Sequence, residues 1–153
     1  MKTPLLSTLV LACAACGPAK MPAGTAEFRF SVSPSVKSSP SLKDPLLGTV
    51  YGDLFLQEDV SVTGPRKDAV AFGAAEIANV DLRMVESSAA TFVTPSLAPG
   101  KYVFLGFFDV DGNGATAKEP DQGDPVTLAL TNTFDIVDGQ QSRRSILFEL
   151  VFN

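Results

Sequence analysis

Polar and apolar residues alternate from Glu27 to Ser33, and alternation is the signature of a strand with one face buried. Glu27-Phe28-Arg29-Phe30-Ser31-Val32-Ser33 predicts a first strand. Further strands are predicted over residues 47–56, 60–63, 77–85, 91–94, 101–108, 126–130, 133–137 and 145–152. Gly64-Pro65, Pro95, Pro99-Gly100, Gly112-Asn113-Gly114, residues 123–125 and Asp138-Gly139 supply turn chemistry between them. Residues 34–45, with four serines and three prolines, read as a long surface loop. Residues 67–79 carry five alanines, the composition of a helical turn, at spacings too irregular to require one. Short strands at this spacing predict an all-β fold, an antiparallel β-sandwich of about seven or eight strands. In the last strand Ile146, Phe148, Leu150 and Phe152 share a face, and that face is expected to be the buried one. Nearly all of the eleven phenylalanines fall in strands, where they fill the space between two sheets about 10 Å apart.

The first sixteen residues follow a different pattern. Lys2 is basic, residues 5–12 are almost wholly apolar, and Ala14-Ala15-Cys16-Gly17 ends the run. A run this short does not span a hydrocarbon core of about 30 Å but suits the apolar region of an export signal. The segment resembles the signal of bacterial lipoproteins, and the resemblance implies cleavage before Cys16 and acylation of its sulfur. Cys13 is the weaker match because Leu11 stands where a small residue belongs. This reading divides the chain into a signal peptide (residues 1–15), a flexible tether (16–25) and one sandwich domain (26–153). It implies an outer-membrane lipoprotein held to the membrane by its acyl chains, with Gly17 compatible with that sorting. Cleavage at an ordinary Ala-x-Ala-like site, giving a soluble periplasmic or secreted product, is the alternative.

Composition then narrows the chemistry. The chain has no histidine and no tryptophan, and after processing Cys16 is its one cysteine. Histidine-dependent triads, His/Cys zinc sites and disulfide frameworks are therefore excluded. The formal charge of −5 leaves no basic patch for nucleic acid. Much of that charge lies in one place, where Asp109, Asp111, Glu119, Asp121 and Asp124 face the single Lys118 of the same stretch.

Asp109-Val110-Asp111-Gly112-Asn113-Gly114 puts oxygen-bearing side chains at positions one, three and five and glycine at six, the spacing that wraps a chain around a calcium-sized ion. Its first half resembles an EF-hand loop, but position twelve is Pro120, and residues 102–108 read as a strand. The expectation is a calcium loop joining two strands, with Asp109, Asp111, Asn113, Glu119, Asp121 and Asp124 as side-chain ligands. An affinity on the order of 10⁻⁴ to 10⁻³ M would match extracellular calcium modules. The competing expectation is a solvated acidic hairpin in which these residues serve only the turn.

Gly48-Thr49-Val50-Tyr51-Gly52 and Leu97-Ala98-Pro99-Gly100-Lys101-Tyr102 resemble the opening strand and the late Pro-Gly turn of transthyretin-type, carboxypeptidase-regulatory-like domains. Asp109 to Gly114 is similar to the calcium loops of related adhesin repeats. The resemblance implies a non-catalytic sandwich that binds, spaces or stabilises. The functional expectation is a calcium-stabilised, lipid-anchored envelope module whose partners are the membrane and another envelope protein or a glycan. A carrier of a small apolar ligand between the sheets is the alternative, and a glycoside hydrolase using paired carboxylates is a third reading.

Overall fold

The structure is a computed structural model that describes residues 23–83 and 91–153. Cys16, the signal peptide and most of the tether lie outside the described residues, as do the last two positions of the predicted strand 77–85. Eleven strands run through the described residues, arranged as an all-β sandwich.

The smaller sheet has the order β10–β1–β6, formed by Gln141–Phe148, Thr25–Val32 and Thr91–Val93. The larger has the order β11–β8–β7–β2–β5, formed by Leu150–Val151, Pro125–Val126, Gly100–Asp109, Leu47–Leu56 and Gly73–Asp81. Strand β9, Thr133–Ile136, pairs with the first residues of β7. Strands β3, Val60–Ser61, and β4, Gly64–Pro65, form a separate hairpin. The pairings are antiparallel except β1 with β10, which runs parallel in unbroken register from Thr25↔Gln141 to Val32↔Phe148. A parallel pair requires a crossover, and here most of the chain supplies it.

Alternation decides which side chains fill the interior. From β1 come Ala26, Phe28, Phe30 and Val32, and from β7 come Tyr102, Phe104 and Phe108. Ring centroids of Phe28 lie 4.9 Å from Phe134 and 5.6 Å from Phe104, in edge-to-face geometry. Phe30 and Phe148 stack at 6.2 Å. Phe28, Phe30, Phe104, Phe108, Phe134 and Phe148 therefore fill the space between the sheets, whereas Phe72 and Phe152 are exposed. Tyr102 closes the Pro99-Gly100 turn by donating its hydroxyl to the Ala98 carbonyl at 3.0 Å.

Several expectations are corrected. The predicted final strand breaks at Glu149, whose amide turns to the Val126 carbonyl of β8, so Ile146 and Phe148 are buried while Leu150 and Phe152 are exposed. Residues 34–45 include a short helix, α1 (Pro34–Lys37), with Ser33 as its cap. The alanine-rich stretch enters strand β5 rather than a helix, its backbone pairing with β2 from Gly73↔Leu54 to Asp81↔Leu47 while Ala75 is buried. The strand expected over 126–130 stops at Val126. The tether ends earlier than predicted, since Gly24 bridges to Leu97 and Thr25 opens β1. Among the described residues no helix is long and apolar enough to cross a membrane.

Candidate functional site: the acidic loop

Strand β7 delivers Asp109 to the rim of the large sheet, and the chain then turns through a short helix, α2 (Gly114–Ala117), before returning at β8. Two of the predicted ligands are buried and occupied by backbone. Asp109 Oδ1 accepts the Gly112 amide at 2.8 Å, and Oδ2 accepts the Gly114 amide at 3.0 Å. Only glycine permits the second approach, because a Cβ at Gly114 would meet the Phe107 ring at 2.9 Å and Asp109 Oδ2 at 3.1 Å. Asp124 Oδ1 accepts the Val110 amide at 3.2 Å, and Oδ2 accepts the Asp121 amide at 3.1 Å. Burial pushes the Asp124 carboxyl above its ordinary pKa, and the two amides pull the other way without cancelling the shift. These two aspartates tie the ends of the loop together as hydrogen-bond acceptors.

The exposed half of the loop is organised by a residue from elsewhere in the chain. Lys43, in the connection after α1, places Nζ 2.8 Å from Asp111 Oδ2 and 3.0 Å from Asp121 Oδ1. Asn113 donates its side-chain amide to Asp121 Oδ2 at 2.7 Å. The amide and the ammonium hold the Asp121 carboxyl below its usual range, and the two carboxylates raise the Lys43 ammonium well above its own. The lysine stem lies across Gly123, where a Cβ would meet its Cγ at 2.7 Å, so the residue with no side chain makes room for the cation's approach. Glu119 is exposed and stands apart from this network, while Lys118 pairs with Glu76 and sits 4.3 Å from the centre of the Tyr51 ring.

The structure therefore brings Asp109, Asp111, Asn113, Asp121 and Asp124 into one hydrogen-bonded loop and leaves Glu119 out of it. Their oxygens are the right donors for a hard cation. Among the described residues, however, no three acidic side chains are placed to share one ion. Lys43 holds the charge-balancing position between Asp111 and Asp121.

No protein-family model matches the chain, and no curated protein does. Among solved structures, the chain is similar to a leucine-rich repeat protein from Bacteroides thetaiotaomicron, with a TM-score of 0.38 and 10% identity. The match covers 86% of this chain and 15% of that protein's length.

Sequence reasoning missed Lys43 because it counted only charges within the loop. Lys43 lies 68 residues from Asp111, and no local periodicity links them. Asn132 was missed in the same way. Its side-chain amide donates to the Leu147 carbonyl at 3.0 Å and accepts the Leu147 amide at 2.8 Å, joining the large sheet to strand β10.

Proposed function

We propose that this chain is a lipid-anchored, non-catalytic module of the cell envelope, attached through Cys16 to the outer membrane and stabilised by calcium at the acidic loop. One observation carries the metal part of the reading: Asp111 and Asp121, carboxylates of opposite arms of the loop, converge on a single cation, Lys43 Nζ. Two acids held this close repel one another without a positive charge between them. Calcium competes with the lysine for these carboxylates, and Asn113 contributes an oxygen of the class calcium prefers. Lys43 is the internal counter-ion of the calcium-free form.

The carboxylates are poorly suited to hydrolysis, since Asp109 and Asp124 are committed to backbone amides and Asp111 and Asp121 share one ammonium. The ring-filled interior likewise favours a scaffold over the carrier of a small apolar ligand. The resemblance of residues 48–52 and 97–102 to transthyretin-type domains belongs to the same reading, as does a protein or glycan partner in the envelope.

One preparation tests both parts. Wild-type, Cys16→Ser and Lys43→Gln chains are fractionated and then melted with millimolar calcium, with magnesium and with chelator. Wild type pellets with membranes while Cys16→Ser does not. Calcium, and not magnesium, raises Tm by several degrees, because millimolar ion above a Kd on the order of 10⁻⁴ M adds about 1 kcal/mol by mass action. The rise is larger in Lys43→Gln, where the competing cation is gone. Equal melting in calcium and chelator for both forms would remove the metal, and a soluble wild type would remove the anchor.

A further inference from the structure

The outer face of the large sheet carries a site of a different kind. Near the start of β7 this face is covered by the hairpin region and residue 129, with Val60, Ala69 and Ala129 packed on Phe55 and Val103. Towards the end of β7 it is flanked by α2 and the residues after it. Between these covers lies an open groove of about 600 Å³ whose floor includes Asp53, Leu105 and Phe107. A second hollow of about 320 Å³ shares those three residues and continues to Ala74 and Glu76 on β5. Together the two hollows cross β5, β2 and β7 and reach residues 127–129, the segment that follows β8 and bonds back to Gly106. Three strands and this flanking segment, at ordinary strand spacing, span about 14 Å, the length of roughly four residues of extended chain.

Charge and polarity in this trough are one-sided. Lys118, its one lysine, is already held by Glu76 and the Tyr51 ring. Asp53 projects from β2 opposite Leu105, half-buried, with neither a hydrogen-bond donor nor a cation on its carboxylate among the described residues. Glu119 is an uncommitted second acid on the wall. Apolar side chains form the rim, with Val62 78% exposed and Leu128 37% exposed. Solvent-exposed apolar groups around a concave, partly desolvated carboxylate suit a cation on an apolar stem.

We infer that this trough binds an extended segment of a partner protein in which a lysine or arginine is flanked by apolar residues, its cation on Asp53 and its stem over Leu105 and Phe107. The inference rests on the binding-module reading and adds the place and the ligand class. A charge-assisted hydrogen bond in a half-buried site provides the selectivity, and the apolar rim receives the flanking residues.

The test titrates isotope-labelled full-length protein with a blocked pentapeptide of the order valine, leucine, lysine, leucine, valine. Matched peptides carry glutamate or norleucine at the centre. The lysine peptide shifts the backbone amides of Asp53, Leu105 and Thr127, and the glutamate and norleucine peptides bind at least about tenfold more weakly. Asp53→Asn keeps the side-chain size and weakens the lysine peptide by a similar factor. Equal binding of the three peptides, shifts confined to other surfaces, an unchanged Kd in Asp53→Asn, or no binding of the lysine peptide at millimolar concentration would each overturn the proposal. Spermine binding as tightly as the peptide would overturn a peptide as the occupant. None of these readings depends on the calcium response or on membrane attachment, so the two proposals fail separately.

Discussion

Asp124 is fully buried, yet both of its oxygens are used, one on the Val110 amide and one on the Asp121 amide. An isosteric amide can satisfy only one of those donors, because its NH2 group would point at the other backbone N–H. Asp124→Asn is therefore expected to lose about 1–3 kcal/mol, the cost of leaving a buried donor without an acceptor. Urea unfolding of the variant and the wild type measures this directly, and coincident midpoints would mean that the loop does not depend on that pair of bonds. Lys43 is more open, its side chain 35% exposed. Its ammonium satisfies two carboxylates in solvent, where ion pairs are screened and individually weak, so its role is to set the loop's charge rather than to hold the fold.

Strand β10 and the break that ends it show how elements allocate the same kind of side chain to different fates. Phe148 is the last residue in register with β1, and its ring packs on Phe30 and Phe108. Two residues later Leu150 belongs to β11, paired with Val126 at the margin of the other sheet, and is 52% exposed. Phe148→Ala is expected to cost about 3–5 kcal/mol, and Leu150→Ser to stay within about 0.5 kcal/mol of wild type. Similar losses in chemical denaturation would mean that the strand continues unbroken, as period-2 alternation alone suggests. Alternation located the buried faces of β1 and β9, whereas β2 and β7 bury side chains on both faces and were legible as apolar runs bounded by turn residues. It could not locate the change of sheet at Glu149, where a single amide switches partner. The parallel pairing of β1 with β10 was equally hidden, since strand direction is set by the path of the intervening chain. In the acidic loop, residue types and turn glycines identified which side chains gather. The bonds of Asp109 to the Gly112 and Gly114 amides and of Asp124 to the Asp121 amide are local, whereas the bond of Asp124 to the Val110 amide and the arrival of Lys43 depend on contacts that no local spacing encodes.

For the molecule as a whole, the acids divide into two groups with opposite effects on stability. Burial raises the pKa of Asp53 and Asp124 above the ordinary 3.8, so the folded state binds their protons more tightly than the unfolded chain does. The contribution of these two groups to stability therefore falls as pH rises through their folded values and is recovered on acidification. Asp81 is lowered to about 2 by the Arg83 guanidinium, and Asp121 is lowered by Asn113 and Lys43. Their contribution is present above 3.8 and is lost as pH falls through their folded values. It is small, because both pairs are exposed. The net charge of −5 also shrinks toward the pI near 4.6, which relieves self-repulsion. All three effects place maximum stability on the acid side of neutrality, just above the ordinary carboxylate range, with a decline below it. Urea midpoints measured from about pH 7 to about pH 2 should rise and then fall, whereas a steady decline from neutrality would contradict this division of the acids. Net charge and burial separate experimentally. Asp53→Asn removes a carboxylate whose proton the fold retains, so it should flatten the rise even in high salt, where self-repulsion is screened.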